Sequence, residues 1–398
     1  MQKFLLLGLI LLAACVPTIS TPEATGFVVP PREGPTATPV PWAEGQETIA
    51  LANVTRITRL GRLDPVNALS TVFAYAFSPD DTRLAGINNT NVMAWDLLTG
   101  EQVFSTDRAD ALTVYYAPDK TEIYTVDVDG LLRIHDADQG NLKTDLPGHE
   151  QYSGVSAYDA ASGWLALGGL DGNVKIWDVA ARQALATIAA HDMQVTALAF
   201  SPDGHWLASG GQEGVVKIWD WRQRVSQAEL EAAALRLTFS PAGDQLAVGE
   251  PTRSTLWTAP EGKKFETLET GPGGVRDVLR YAPDGRYLLN GGGIPSLTLW
   301  NPQTGDYVAS LPDTGGDNVS AAFSSDGALL ITSALGVPLS LWNLTEIQGD
   351  VLTRANLDFG VKEAVAVDWT PDGFLLALFE AAGPVQIWGI PPAATGGG

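Results

Sequence analysis

The chain has 398 residues, with 46 Asp and Glu against 24 Lys and Arg, for a formal net charge of −22. So acidic a surface repels phosphate backbones and anionic head groups over a Debye length, which excludes nucleic-acid binding through a basic face. A single Cys excludes a disulfide framework and a Cys-based zinc cage, and 45% hydrophobic against 18% charged residues exclude a disordered chain.

The first residues read as an address. Lys3 is a short positive start, and residues 4–12 form an apolar run. That run is too short to span about 30 Å of hydrocarbon, which takes about 20 helical residues, and it fits a signal-peptide core. Leu12-Ala13-Ala14-Cys15 then resembles the lipobox of bacterial lipoproteins, where the Cys thiol receives a diacylglycerol. The resemblance implies a signal peptide at 1–14 and lipid attachment at Cys15. It further implies an extracytoplasmic protein, lipid-anchored to a bacterial membrane in the cell envelope. Several acyl chains on one Cys anchor firmly where a single chain is marginal.

Residues 15–48 follow as a tether. Pro17, Pro22, Pro30, Pro31, Pro35, Pro39 and Pro41 alternate with Thr, Glu and Gly. Dense proline removes backbone donors and favours polyproline II, at ~3.1 Å per residue and thus a reach of up to roughly 100 Å.

Residues 49–391 are expected to form one domain of eight copies of one unit, leaving a short flexible tail at 392–398. An aromatic ends an apolar strand at Phe77, Tyr116, Tyr158, Phe200, Phe239, Tyr281, Phe323 and Trp369. Turns such as Ser78-Pro79-Asp80-Asp81, Ser201-Pro202-Asp203-Gly204 and Thr370-Pro371-Asp372-Gly373 follow it. Each unit then closes on Trp95, His135, Trp177, Trp219, Trp257, Trp300, Trp342 or Trp388, always 18 or 19 residues after its aromatic. Within the fourth unit, residues 195–200, 206–209 and 215–219 read as three short strands. Lys217 points outward between Val216 and Ile218. Pro, Asp and Gly supply the turns between them. Residues 225–237 are rich in Ala and Glu, yet their place in the period calls for an outer strand.

Trp177-Asp178 and Trp219-Asp220 close units that begin Gly148-His149 and Ala190-His191. These units resemble WD40 repeats over about residues 50–390. The resemblance implies an all-β fold: an eight-bladed β-propeller of four-stranded WD40-like blades. In that family a buried network links the Gly-His histidine, a second-strand Ser or Thr, a turn Asp and the closing Trp. The third unit has His149, Asp171 and Trp177, with Leu167 at the hydroxyl place. The fourth has His191, Ser209 and Trp219, with Glu213 in place of Asp. The second keeps Asp129 and has His135 for Trp. The fifth to eighth lose the His and the turn Asp. On this reading no unit carries the full network.

Closure follows from what is missing. Pro391 and Pro392 forbid an outer strand after Trp388. An orphan stretch at residues 55–63 lies upstream of the first unit. It is predicted to supply the eighth blade's outer strand and so remove the open edge.

Motifs that carry chemistry are few. His149 and His191 take the Gly-His place, His135 replaces a Trp and His205 follows a turn, so all four read as structural or surface residues. Gly291-Gly292-Gly293 precedes no helix, which argues against a phosphate cradle. Asp127-Val128-Asp129-Gly130 is half a calcium loop at most and reads as a turn. Trp164 and Trp206 are read as core. Trp221 with Arg222 and Arg224 is the expected exposed aromatic-basic spot and the candidate partner-binding site.

No catalytic residue, cofactor or metal is expected. The chain is read as a membrane-anchored extracytoplasmic scaffold for a protein partner of unknown identity, with a monomeric propeller and no nucleic acid. The alternatives are a ligand-binding or hydrolytic propeller with a site at the central channel mouth, and an envelope-assembly lipoprotein. Convergent carboxylates or His at that mouth point to an enzyme, and an apolar rim to a docking platform.

Overall fold

The computed structural model describes residue 49 and residues 56–390, apart from 66–70, 98, 108–109, 270–277, 292–296, 313, 315–318, 335, 349–350, 356–363, 370–373 and 382. The expected signal peptide, Cys15, the tether, Trp42, the turn at 370–373 and the tail at 392–398 lie outside the described residues.

The strands form eight four-stranded sheets, seven of which take four consecutive strands of the chain. These are blades 1 to 8, from Ala74–Phe77 as the inner strand of blade 1 to Ala364–Trp369 as that of blade 8. Blade 4 shows how the residues build one. Val195–Phe200, Trp206–Gly211, Val215–Asp220 and Val225–Glu231 pair antiparallel in that order. Val216 and Ile218 are fully buried on either side of half-exposed Lys217, so the alternation packs one face inward. Between the first two strands Gly204 takes φ 63° and donates its N–H to Ser201 O at 2.8 Å. The Asp203 carboxylate accepts from the Ser201 hydroxyl at 2.5 Å and from the His205 N–H at 3.0 Å. The Ala/Glu-rich segment supplies the outer strand over Val225–Glu231 only, with Ala228 opposite Ile218, and its last two residues begin the inner strand of blade 5, Arg236–Phe239.

Blades pack face to face, and the core is divided accordingly. Eight apolar clusters occupy the eight seams between neighbouring blades. In the seam between blades 4 and 5, Ala208, Val216 and Ile218 meet Phe239, Leu246 and Trp257. Each seam removes several large side chains from water, at about 1.5–3 kcal/mol per fully buried one.

The ring closes as expected. Thr58–Leu63 pairs antiparallel with Val385–Gly389, with Leu63 opposite Val385 and Thr58 opposite Gly389. The strand begins three residues later than the orphan stretch. Leu63 is fully buried with Trp95 and Phe379, in the seam between blades 8 and 1. Ile49 is buried beside Trp369 and Ile390, so the chain is pinned to blade 8 before the strand starts.

Candidate functional site

A closing Trp buries its indole N–H, and a buried N–H needs an acceptor. In blade 4 Trp219 Nε1 donates to Ser209 Oγ at 2.9 Å, and Ser209 Oγ lies 2.8 Å from His191 Nε2. His191 Nδ1 lies 2.5 Å from Glu213 Oε1. Trp219 can only donate, so the Ser209 proton goes to His191 Nε2 and the Nδ1 proton to Glu213. The network is therefore complete here, with Glu213 doing the work of Asp, which corrects the expectation that no unit carries it. Burial is the main force holding the His191 pKa below the ordinary value, and it outweighs the opposing pull of Glu213.

Other blades satisfy the same indole differently. In blade 3 Leu167 offers no acceptor, and Trp177 Nε1 donates to Gly148 O at 3.1 Å. His149 accepts from the Gln151 N–H at 3.3 Å, and its Nε2 lies 3.3 Å from Asn173 O and 3.7 Å from Asp171. Burial again holds the His149 pKa low. In blade 7 Trp342 donates to Thr332, ten residues earlier, at 3.0 Å. Blades 5 and 6 use the residue two before the Trp, Thr255 at 2.9 Å and Thr298 at 3.0 Å. In blade 2 His135 Nε2 lies 3.3 Å from Thr125 Oγ1. These hydroxyls were missed in the sequence. A Ser or Thr ten residues before the closing aromatic in blades 2 and 7, and two before it in blades 5 and 6, is the signal that finds them. Trp95 of blade 1 has neither, and its buried Nε1 has no acceptor among the described residues.

Strand direction sorts the loops onto two ends. Turns between second and third strands, and loops from one blade to the next, share the upper end. Turns from first to second and from third to fourth strands share the lower end. Trp221, Arg222 and Arg224 therefore lie at the lower end, between Val215–Asp220 and Val225–Glu231.

The expectation of an exposed Trp221 is corrected: the residue is only 3% exposed. Its Nε1 donates to Gly204 O at 3.0 Å, and its ring meets Trp164 edge-on at 5.1 Å. The Arg222 guanidinium lies 4.5 Å and 4.6 Å from the Trp164 and Trp221 ring centroids. It also donates to Gly204 O at 3.1 Å. Trp221 and Arg222 thus strap blade 4 to blade 3, and Arg224 is exposed at a positive φ of 60°. Trp164 and Trp206, expected in the core, are half-buried at the starts of their strands.

The upper end differs in character. Val128 and Leu170 stand in the second-to-third-strand turns of blades 2 and 3, 45% and 53% exposed. Met193 and Leu235 stand in the loops entering blades 4 and 5, 47% and 45% exposed. Exposed acids border them: Asp110, Asp129, Glu150, Asp171, Asp192 and Glu213. Between residues 127 and 214 the loops at this end contain no Lys or Arg. None of the four apolar residues was singled out from sequence, because isolated apolar residues in turns carry no signal until the blades align them.

Metal-ligating groups do not gather. Among the described residues no three of His, Cys, Asp and Glu lie together so as to hold an ion. Asp127, from the half calcium loop, is buried and paired with Arg133, and Gly130 turns the chain at φ 74°.

Comparison with known proteins agrees with this geometry. Residues 140–178 and 182–220 match the family model "WD domain, G-beta repeat". The chain thus contains WD40 repeats, and its fold is an eight-bladed propeller. An uncharacterized WD repeat-containing protein of Synechocystis sp. is 29% identical over 101 residues. That match spans 25% of this chain and 29% of the relative. The C-terminal WD40 domain of Sif2 has a TM-score of 0.67 and 12% identity, covering 84% of this chain and 98% of that one. The computationally designed Ika8 protein has a TM-score of 0.65 and 19% identity, covering 82% of this chain and 99% of that one. Likeness at these identities is likeness of fold.

Proposed function

We propose that the chain is a membrane-tethered, extracytoplasmic interaction scaffold that docks a protein partner on the upper end of blades 2 to 5. WD40 propellers generally serve as non-catalytic platforms for protein interaction. The observation that carries the reading is the row of Val128, Leu170, Met193 and Leu235, exposed at one end of consecutive blades. Exposed apolar side chains that gather on one face of a folded domain mark binding surfaces. The acidic border selects a partner segment that is both apolar and basic. Ile49, the described residue nearest the tether, is buried in the seam of blades 7 and 8, across the ring from blades 3 and 4.

Crosslinking and pull-down from native membranes tests the face. The wild type is compared with the double variant Leu170→Asp, Met193→Asp. If the two side chains are hot spots of the face, losing one costs about 2 kcal/mol, roughly a thirtyfold loss of affinity. Equal recovery of the same partner by both proteins overturns the docking face. The anchor has its own test, metabolic labelling with a fatty-acid probe: the wild type takes up label and Cys15→Ala does not. A labelled Cys15→Ala protein overturns the lipid attachment.

A further inference from the structure

Arg280 and Asp368 stand on the inner strands of blades 6 and 8, Val278–Tyr281 and Ala364–Trp369. Each is the residue just before its strand-ending aromatic. Arg280 Nη1 and Asp368 Oδ1 meet at 3.7 Å. Blade 7 lies between them, with Ala322 at the same register. A contact that skips a blade runs through the axial channel, because the inner strand of the intervening blade blocks any route inside the seams. Ala76, Ala157 and Ala199 share that register with Ala322, so half the ring contributes only methyl groups there. Tyr75 of blade 1 joins the pair, donating its hydroxyl to Asp368 Oδ2 at 3.2 Å. Its ring stacks on Phe379 at 4.0 Å.

The pair is not self-sufficient. At 3.7 Å it is an ion contact beyond hydrogen-bond length. Arg280 Nη2 is covered and has no hydrogen-bond partner among the described residues. An unmet buried donor is costly, so an acceptor brought to it recovers that cost. The Arg280 and Asp368 side chains keep 20% and 19% of their surface open, so a rotamer shift of Arg280 can deliver Nη2 to a guest. Burial pushes the Asp368 carboxyl above its ordinary pKa, against the opposing effects of Arg280 and Tyr75. A donor on the guest relieves that carboxylate in turn.

We propose that this channel wall binds a small carboxylate that also carries an amino or hydroxyl group. The guest's carboxylate sits on Arg280 and its donor on Asp368. An α-amino or α-hydroxy acid meets both demands at once. A phosphate dianion brings a second negative charge against Asp368, and a bare carboxylate leaves Asp368 unrelieved.

Isothermal titration of the full chain with glycine, glycolate, acetate and inorganic phosphate tests the site. Glycine or glycolate is expected to bind saturably, with acetate and phosphate at least about tenfold weaker, the worth of one charge-assisted hydrogen bond. The double variant Arg280→Met, Asp368→Asn removes both charges together and so strands neither. It is expected to keep a cooperative thermal transition and lose the binding. Tyr75→Phe keeps the stacked ring and is expected to weaken binding a few-fold. No saturable binding of glycine or glycolate overturns the proposal. So does equal binding by the Tyr75→Phe or double variant, or tighter binding of phosphate.

Discussion

The His191 and His149 rings set how the molecule responds to acid. Both have pKa values held below 6.5, chiefly by burial. Protonating His191 Nε2 also ejects the Ser209 proton that Trp219 leaves for it. With the folded pKa below the unfolded one, the unfolded chain takes up the proton first as pH falls. Stability is therefore whole above pH 6.5 and is lost as pH drops through 6.5 towards the folded values. The carboxylates titrate in a separate window. Burial pushes the Asp80 carboxyl up, yet hydrogen bonds from Lys120, Ser78 and Thr82 outweigh it and hold the pKa at about 2. Its contribution is lost only below pH 3.8, as is that of Asp171 and Asp203, which are also lowered. Asp368 runs the other way, since its raised pKa favours the fold as pH falls. Urea midpoints between about pH 7.5 and 5.5 should therefore decline, and His191→Gln should flatten the slope. An equal slope in the variant means that His191 contributes nothing to the acid response.

At the scale of strands and turns, the repeat was legible because one spacing recurs eight times, and the closing strand because Pro391 and Pro392 left blade 8 one strand short. Seam contacts were less legible. Trp221 reads as exposed beside Arg222 and Arg224, and only the ring geometry brings Trp164 of the preceding blade against it. The indole acceptors escaped because they sit at two different offsets, ten residues back in Thr332 and two in Thr255. Arg280 and Asp368 belong to units two apart, so no local pattern links them. The closing strand gives the prediction at this scale. Leu63→Ala removes a fully buried side chain from the seam between blades 8 and 1, and should cost about 2–5 kcal/mol. A chain beginning at Val66 loses the strand altogether and bares the edge of Val385–Gly389. Light scattering should show it oligomeric or unfolded. A stable monomer of that chain means that the ring does not depend on its N-terminal strand.

At the scale of the whole molecule, one charge distribution governs two properties with opposite signs. The formal charge of −22 repels itself across a single ring, and the repulsion grows as the Debye length lengthens at low salt. The proposed docking of a basic partner at the acid-bordered upper end would use the same field attractively. Raising salt from about 0.02 M to about 0.5 M shrinks the Debye length from roughly 20 Å to roughly 4 Å, so both effects fade together. The melting temperature should rise by a few degrees over that range, while affinity for a basic apolar peptide falls, mainly through a slower on-rate. Leu170→Asp separates the two contributions. It strengthens the acidic field while removing the apolar contact, so it should weaken binding yet leave the salt dependence of association at least as steep as before. Binding that survives high salt undiminished in the wild type and vanishes in Leu170→Asp assigns recognition to the apolar row alone. A melting temperature that falls with salt shows that paired charges such as Arg182 with Glu122 outweigh the net repulsion.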